Sequence, residues 1–455
     1  MNSKKSIYFL GIGGIGMSAL ARYFISKGYK VAGYDRTRTH ITDALTLEGA
    51  EIFYDEEIEL IPQYCLNPDE TLVVYTPAVP ANHKGFEYFK ANNFEIAKRA
   101  KILGMITRNS KGLCISGTHG KTTTSSMLAH ILASSKIECN AFLGGILKNY
   151  NSNLILSDKS EYSVIEADEY DRSFHQLSPY MAVVTASDPD HLDIYGTEEA
   201  YLESFATFTS LIAPGGVLLI KKGISLVPRI KEGVTLLTFG REEGDYHAEN
   251  IRIGGGDIIF DFVTPEKRIN DVKLGVPVKI NIDNAIAAMA IATLCGAEDD
   301  EIKEAIGSYQ GPERRFDFWL KTPEKVLLDD YAHHPDEVSA SISSVKELYP
   351  DKHLTVIFYP HLYSRTRDFA PEFAKALSLA DRVILLPIYP AREEPIPGVT
   401  SEIILNQLTC KEKEITLKEN LIEKIKVGKF EVLMTMGAGN VDVYLPEIKE
   451  IIEKQ

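Results

Sequence analysis

Residues 114–130, CISGTHGKTTTSSMLAH, decide which class of fold this chain adopts. An apolar strand pattern passes through a glycine turn into a helical pattern, and Lys121 and Thr122 follow the closing Gly120. Such a junction is typical of a loop that binds phosphate, because amides of the turn and of the helix N-terminus face the anion. The full P-loop pattern has a further glycine where this chain has Ile115. The sequence therefore predicts a shortened phosphate loop at the edge of a parallel sheet.

This loop predicts contacts to a nucleotide. Lys121 is expected to reach the β- and γ-phosphates and Thr122 to bind Mg²⁺, while amides of the turn surround the phosphate oxygens. His119 lies inside the turn, where it either stabilises negative charge or only shapes the loop, and the sequence leaves both roles open. The residues expected to contact the nucleotide are Gly117, Thr118, His119, Gly120, Lys121, Thr122 and Thr123.

On both sides of this loop, apolar runs of strand length alternate with helical patterns, which is typical of parallel sheets with crossover helices. The 455 residues exceed what one hydrophobic core accommodates, so roughly two to four domains are expected. Between residues 241 and 280 the pattern changes to short alternating pieces around a glycine turn, which predicts a small antiparallel addition. The grouping of motifs predicts domains over residues 1–106, 107–311 and 312–455.

A second glycine loop lies near the N-terminus, where GIGGIGMSAL follows a strand pattern and precedes a helical one. Gly11, Gly13 and Gly16 match the fingerprint of dinucleotide-binding loops, and Asp35 ends the next strand pattern. The glycines allow a diphosphate to approach the backbone, but NAD, FAD and a UDP-sugar all satisfy this pattern. A nicotinamide-dependent dehydrogenase therefore stays open at this point.

Composition excludes several classes of protein. The formal net charge of −15 argues against a nucleic-acid partner, because such proteins present a basic face. No run approaches the roughly 20 apolar residues of a membrane helix, so no membrane insertion is expected. The five cysteines are scattered without metal-binding spacing, which argues against disulfides and a cysteine-held metal. We expect a cytoplasmic protein.

Acidic side chains and one histidine cluster at two strand ends that follow the phosphate loop. Carboxyl ends of parallel strands meet at one edge of a sheet, so side chains there complete the ligand shell of Mg²⁺. Most of these charges are expected to be solvated, and the cluster as a whole is informative. Its members are Glu166, Asp168, Glu169, Asp171, Asp188, Asp190, His191 and Asp193.

Several segments occur along the chain in one order: GTHGKTTT, EADEYDRSF, DPDHLDIYG, NIDNAIAA, GPERRFD, DDYAHHPDE and PHLYSRTRDFAPEF. In this combination the chain resembles the Mur ligase family over essentially its whole length. The resemblance implies an α/β fold with an N-terminal Rossmann-like domain for a UDP-sugar, a central P-loop domain for ATP and a C-terminal Rossmann-like domain for an amino acid. It implies an ATP- and Mg²⁺-dependent ligase of peptidoglycan precursor synthesis, which joins L-alanine to UDP-N-acetylmuramate through an acyl phosphate.

The resemblance also implies roles for individual residues. The metal ligands are Thr122, Glu166 and His191, and the catalytic residues are Lys121, Glu166, His191 and His333. The ATP site further includes Asn281 and Asn284 near the adenine, and Arg315 and Asp330 at positions that contact phosphate and ribose. The amino-acid site consists of Tyr331, His333, His361 and Arg365. The UDP-sugar site consists of Gly11, Gly13, Gly14, Gly16, Ser18 and Asp35, and the loop from Gly11 to Ser18 surrounds the diphosphate. The group that accepts the proton of the amine stays open between Glu166 and His333.

Two features depart from the family pattern. Leu362 stands after His361 where many members carry a basic residue, and the segment YLESFATF lacks the lysine by which several members hold a second metal. One alternative is a recycling ligase that attaches a murein tripeptide, and a non-catalytic nucleotide-binding regulator ranks lower. The expected oligomeric state is a monomer or a homodimer.

Overall fold

The computed structural model describes residues 3–80, 82–391 and 393–455, and within these ranges the strands form four sheets. The chain divides into two compact units. The first consists of Met1–Glu249, Phe262–Asn270 and Asp283–Ile306, and the second of Asn250–Asp261, Asp271–Ile282 and Gly307–Gln455. The five-stranded and seven-stranded sheets lie in the first unit, and the six-stranded sheet lies in the second.

The N-terminal part forms a five-stranded parallel sheet with the order β3-β2-β1-β4-β5. Its strands are β1 (Ser6–Leu10), β2 (Lys30–Tyr34), β3 (Glu51–Phe53), β4 (Thr71–Tyr75) and β5 (Glu95–Lys98), and its helices are α1 (Ile15–Ser26), α2 (His40–Leu47), α3 (Lys84–Ala91) and α4 (Arg99–Arg108). Ile7 and Phe9 of β1 pack into one core cluster and Tyr8 and Leu10 into another, so both faces of this strand are covered. The first glycine loop follows β1, where the strand order reverses and α/β sheets bind their ligands.

The central part forms a seven-stranded sheet with the order β12-β11-β10-β6-β9-β7-β8. Its strands are β6 (Lys111–Ser116), β7 (Asn140–Leu147), β8 (Ser152–Ile155), β9 (Tyr162–Glu166), β10 (Pro179–Val184), β11 (Val217–Lys221) and β12 (Thr235–Phe239). Its helices are α5 (Lys121–Ala133), α6 (Leu192–Tyr195), α7 (Glu198–Thr209), α8 (Ile280–Leu294) and α9 (Asp299–Ser308). All neighbouring strands run parallel except β7 and β8. The phosphate loop joins β6 to α5, and β6 lies between β9 and β10, whose ends carry the acidic clusters.

A small sheet with the order β13-β14-β15 lies at the position predicted for the antiparallel addition. Its strands are β13 (His247–Gly254), β14 (Asp257–Val263) and β15 (Arg268–Lys273). Gly255 and Gly256, with φ values of 60° and 81°, form the whole connection between β13 and β14. Because parallel neighbours require a long crossover, this two-residue turn makes the pair antiparallel.

The C-terminal part forms a six-stranded sheet with the order β16-β17-β21-β18-β19-β20, in which only β16 runs antiparallel to its neighbour. Its strands are β16 (Asp317–Lys321), β17 (Val326–Asp330), β18 (Leu354–Phe358), β19 (Arg382–Leu385), β20 (Glu412–Ile415) and β21 (Val432–Met436). Its helices are α10 (Pro335–Leu348), α11 (Tyr363–Asp368), α12 (Ala370–Leu377), α13 (Glu402–Leu405), α14 (Lys418–Val427) and α15 (Leu445–Lys454). The segments DDYAHHPDE and PHLYSRTRD lie at the carboxyl ends of β17 and β18.

Buried polar contacts join the N-terminal sheet to the central one. Arg22 of α1 donates to Asn153 of β8, with 2.5 Å between Nη1 and Oδ1, and pairs with Glu48 at 3.0 Å. The Asn153 amide donates to Ser18 Oγ at 2.9 Å and to the Ile15 carbonyl at 2.6 Å. Ser18 and Asn153 are fully buried. The side chain of Ser18 is therefore part of this interface, and its predicted contribution to the UDP site stays a prediction.

The predicted α/β class with predominantly parallel sheets is confirmed. The predicted domain boundaries stay predictions, and helix α4 continues past the first of them at residue 106. Within the described ranges, none of the helices combines the length and the apolar composition needed to cross a bilayer.

Candidate active site

The shortened phosphate loop folds as a tight turn between β6 and α5. Gly117 and Gly120 adopt φ values of 131° and 82°, which side chains disfavour. A Cβ atom on Gly120 would lie 2.6 Å from Asn284 Oδ1, so this position also lacks room for a side chain. Asn284 Oδ1 accepts a hydrogen bond from Thr124 Oγ1 at 3.2 Å. The structure thus brings Asn284, predicted near the adenine, against the closing glycine of the loop.

Hydroxyl groups from the neighbouring strand and helix fix the shape of this loop. Thr118 Oγ1 donates to the Asp188 carbonyl at 2.7 Å and lies 2.9 Å from Tyr201 Oη. Thr185 Oγ1 donates to the carbonyl of His119 at 2.5 Å, while the side chain of His119 is exposed. His119 therefore shapes the loop through its backbone, and its imidazole is open to solvent.

Lys121 forms a buried ion pair that the sequence did not single out. Its Nζ donates to Glu169 Oε1 at 2.8 Å and to the Gly117 carbonyl at 2.7 Å. Glu169 is 1% exposed, and within the described ranges its Oε2 atom has no hydrogen-bond partner. Burial raises the pKa of Glu169, and the nearby Lys121 ammonium opposes this shift. Glu169 belonged to the predicted acidic cluster. Its pairing with Lys121 was not predicted, because it requires the end of β9 to lie beside the end of β6.

Two of the three predicted metal ligands lie together. Thr122 Oγ1 donates to Glu166 Oε1 at 3.1 Å, and Glu166 Oε2 is buried without a partner among the described residues. Burial raises the pKa of Glu166, whereas the hydrogen bond from Thr122 lowers it. A Cβ atom on Gly144 would overlap the Glu166 carboxylate, so a glycine keeps this space open. A hydroxyl and an unpartnered carboxylate oxygen are the hard oxygen donors that Mg²⁺ prefers, so these residues fit the ion.

His191, the third predicted metal ligand, has other contacts. Its backbone N–H donates to Asp190 Oδ1 at 2.7 Å, and its ring lies edge-on to Tyr170 with 5.2 Å between centroids. His191 adopts a φ of 52°, which is uncommon for a residue with a side chain. In the part of the chain that the structure describes, no three His, Cys, Asp or Glu residues are grouped so that they could hold a metal. The side chain of Asp193 lies outside the described residues, and the role of His191 stays a prediction.

The second compact unit brings together the residues that are predicted to bind the amino acid. The ring of His333 lies 5.2 Å from that of Tyr331 and 6.1 Å from that of His361, and Arg365 Nη1 lies 3.5 Å from His361 Nδ1. His333 Nδ1 donates to the carbonyl of Tyr331 at 2.9 Å. A carbonyl only accepts, so Nδ1 carries the proton and Nε2 is the basic nitrogen of a neutral His333.

Arg314 and Arg315 are adjacent, and the side chain of Arg314 stabilises the fold. Its Nε lies 3.0 Å from Asp329 Oδ2, and its terminal nitrogens donate to the Gly439 and Gly437 carbonyls at 2.9 and 2.7 Å. Arg315, which was predicted to contact phosphate, is exposed. The order along the chain could not distinguish the two, because only the fold shows which guanidinium faces inward.

Two further residues that are predicted to contact ATP form hydrogen bonds within the second compact unit. Asp330 is buried and accepts a hydrogen bond from Ser341 Oγ, and burial raises its pKa. Asn281 is 7% exposed and donates to the Val276 carbonyl at 3.2 Å. These contacts hold local backbone and helix positions, and the predicted roles of both residues toward ATP stay predictions.

Asp329 makes stability depend on pH. It is fully buried, and burial raises its pKa to about 6 against the opposing effects of Arg314 and of Thr435, which donates to it. An unfolded aspartate titrates near about 3.9, so the folded state binds this proton more tightly and loses the stabilisation as the pH rises through about 6. Relative to Asp329→Asn, the wild type is expected to lose about 2 kcal/mol of unfolding free energy between about pH 4 and pH 7. Urea unfolding of both proteins across this range tests the shift, and a difference independent of pH would contradict it.

The first glycine loop lies against the carboxylate of Asp35. Gly13 N–H donates to Asp35 Oδ2 at 2.7 Å, and Thr37 N–H donates to Asp35 Oδ1 at 3.1 Å. A Cβ atom on Gly13 would lie 2.9 Å from Asp35 Oδ2, and one on Gly11 the same distance from Thr76 Cγ2. Asp35 therefore shapes the loop directly, and its predicted contact with the UDP-sugar stays a prediction.

A cavity of about 370 Å³ extends from this loop to the end of β9. Its lining includes Gly14 and Gly16 of the loop, Arg99, and Asp168 and Tyr170 after β9. The glycine loop and the strand end that carries Glu166 thus border one space within the first unit. This arrangement suits a ligand whose diphosphate binds the glycine loop while its other end reaches toward the end of β9.

Comparisons with known proteins agree along the whole chain. The family model described as Mur ligase family, catalytic domain, matches residues 6–111, the Mur ligase middle domain matches residues 115–292, and the Mur ligase, glutamate ligase domain, matches residues 314–439. The chain is 59% identical to the UDP-N-acetylmuramate–L-alanine ligase of Parabacteroides distasonis, over 100% of this chain and 99% of that protein. It is equally identical to the ligase of the same name from Phocaeicola vulgatus, over the full length of both.

Solved structures give the same result. The UDP-N-acetylmuramate-alanine ligase of Thermotoga maritima superposes with a TM-score of 0.81 at 28% identity and 99% coverage of both chains. A murein peptide ligase from Psychrobacter arcticus superposes with a TM-score of 0.64 at 21% identity and the same coverage, which shows a shared fold.

Proposed function

The chain belongs to the Mur ligase family, and we propose that it is an ATP-dependent ligase that joins L-alanine to the lactyl carboxylate of UDP-N-acetylmuramate. The observation that carries this conclusion is full-length identity of 59% to two ligases of that activity, combined with an intact phosphate loop around Lys121. The products are the amide, ADP and phosphate, and the reaction belongs to peptidoglycan precursor synthesis. A nicotinamide-dependent dehydrogenase, which the first glycine loop alone allowed, does not explain the matches to the middle and C-terminal domains.

Amide formation in water needs an activated carboxyl group, because a carboxylate oxygen is a poor leaving group. The lactyl carboxylate oxygen attacks the γ-phosphorus of ATP, the bond to the β-bridging oxygen breaks, and ADP leaves. The neutral amine of L-alanine then attacks the acyl carbon, and the C–O bond to phosphate breaks. Negative charge accumulates at the phosphoryl group and then at the tetrahedral oxygen, so the ammonium of Lys121 and the amides of the loop supply the main stabilisation.

The metal-binding part of the proposal rests on Thr122 and Glu166. Their hydroxyl and carboxylate oxygens lie 3.1 Å apart, and the second oxygen of Glu166 is buried without a described partner. When bound there, Mg²⁺ supplies positive charge to the phosphate oxygens. We include His191 as a further ligand on the strength of the family resemblance alone.

The amine must lose a proton before it attacks, and we favour His333 as the acceptor over Glu166. His333 donates through Nδ1 to the Tyr331 carbonyl, which leaves Nε2 as the basic nitrogen. It also lies beside His361 and Arg365, the residues proposed to hold the carboxylate of L-alanine. Glu166, by contrast, accepts the Thr122 hydroxyl and faces the metal position.

We further propose a cytoplasmic enzyme that is a monomer or a homodimer. ATP and nucleotide sugars are cytoplasmic metabolites, and every cysteine of the chain is a free thiol, as in a reducing compartment. The formal charge of −15 argues against a nucleic-acid partner, and it is compatible with small anionic substrates because local lysines and arginines can hold them.

The decisive test measures ADP release with UDP-N-acetylmuramate and ATP, with and without L-alanine. We expect turnover to require all three substrates and one labelled carboxylate oxygen of the sugar to appear in the released phosphate. Turnover with the murein tripeptide that matches or exceeds turnover with L-alanine would favour the recycling ligase. Phosphate without the label would refute the acyl phosphate, and with it the proposed reaction.

A further inference from the structure

We propose that Arg99 binds the diphosphate of UDP-N-acetylmuramate and that Asp168 positions the arginine for this task. The inference rests on the proposed function. Arg99 is the first residue of α4, and its side chain lines the cavity of about 370 Å³ between the glycine loop and the end of β9. No comparison and no motif singled out either residue for this role.

The contact between Arg99 and Asp168 leaves most of the guanidinium available. Arg99 Nη2 donates to Asp168 Oδ2 at 3.0 Å, and in the described part of the chain this is the hydrogen bond that Arg99 makes. The two side chains are 27% and 34% exposed, so solvent and ligand reach them. A guanidinium keeps further donors in a planar fork, which suits the paired oxygens of a phosphate group.

Gly16 leaves room for this guanidinium. A Cβ atom on Gly16 would overlap Arg99 Nη1, so a side chain at this position would displace the guanidinium. The guanidinium is therefore held against the third glycine of the fingerprint, at the N-terminal end of α1. A diphosphate bound by the fingerprint would lie within reach of it, whereas the lactyl carboxylate of the same substrate must lie near Lys121 for phosphoryl transfer.

The first test uses UDP and uridine as probes, because they differ by the diphosphate. Calorimetry on the full chain is expected to show that Arg99→Gln weakens UDP binding on the order of 10- to 100-fold and leaves uridine binding unchanged. Lys101→Gln, an equal charge change at an exposed site on the same helix, is the matched control and should leave both affinities unchanged. An Arg99→Gln variant that binds UDP as the wild type does would overturn the inference.

The second test asks whether a glycine is needed at position 16 because of Arg99 or because of the ligand. If the glycine serves Arg99, Gly16→Ala weakens UDP binding in the wild type but adds little to Arg99→Gln, because the two changes remove one contact. An additive penalty in the double variant would show that Gly16 serves the ligand alone, against the inference.

Asp168→Asn tests positioning through steady-state kinetics. We expect the KM for UDP-N-acetylmuramate to rise several-fold while the KM for ATP and the circular dichroism spectrum stay unchanged. Equal increases in both KM values would indicate a general disturbance of the site and would contradict positioning. Failure of the wild type to bind either UDP or the UDP-sugar would instead refute the proposed function, so the two failures are distinguishable.

Discussion

Lys121→Ala is expected to lower kcat by roughly a thousand-fold or more, because it removes the cation that stabilises the transferred phosphoryl group. The same change leaves Glu169 buried without its partner, which costs about 3–5 kcal/mol of unfolding free energy. ADP release measures the first effect and thermal unfolding the second. Near-normal turnover in this variant would refute the role of the loop.

The control separates lost chemistry from lost stability. In the double variant Lys121→Met with Glu169→Gln, both charges of the buried pair are absent, so the thermal midpoint should recover toward that of the wild type. Activity should stay lost, since the variant lacks the Lys121 ammonium that stabilises the transferred phosphoryl group. Recovery of activity together with stability would show that Lys121 acts through folding alone.

Arg314→Ala is expected to destabilise the C-terminal unit by about 3–5 kcal/mol at neutral pH. The change removes the partner of the fully buried Asp329 and leaves the carbonyls of Gly437 and Gly439 without their donor. The loss should shrink near pH 5, because Asp329 becomes neutral there by binding a proton. Urea unfolding at both pH values measures the effect.

Arg315→Ala is the matched control for this prediction. The side chain is exposed, so its loss should change the free energy of unfolding by about 0.5 kcal/mol or less. If its predicted contact with phosphate is correct, the KM for ATP rises instead. Equal destabilisation by both variants would contradict the prediction that Arg314 stabilises the fold and Arg315 does not.

The sequence predicted the sheets well because their signals are local. The glycine turn before Lys121, the fingerprint at Gly11 and the apolar strand runs each specify a strand, a turn and a helix within about twenty residues. The structure confirms the α/β class, places the phosphate loop between β6 and α5, and brings Tyr331, His333 and His361 together.

What the sequence could not predict depends on contacts between distant segments. Glu169 pairs with Lys121, and Arg99 with Asp168, across separations of 48 and 69 residues. No periodicity or spacing in the sequence indicates such a pair, because the two partners lie far apart along the chain.

The buried link between Arg22 and Asn153 has a consequence for exchanging parts between related ligases. A chimera that takes its N-terminal segment from one species and its central segment from another could separate the Arg22 guanidinium from the Asn153 amide that it contacts. Each group would then be buried without its hydrogen-bond partner, even if each segment kept its own fold. Successful recombinants should therefore inherit both positions from one parent.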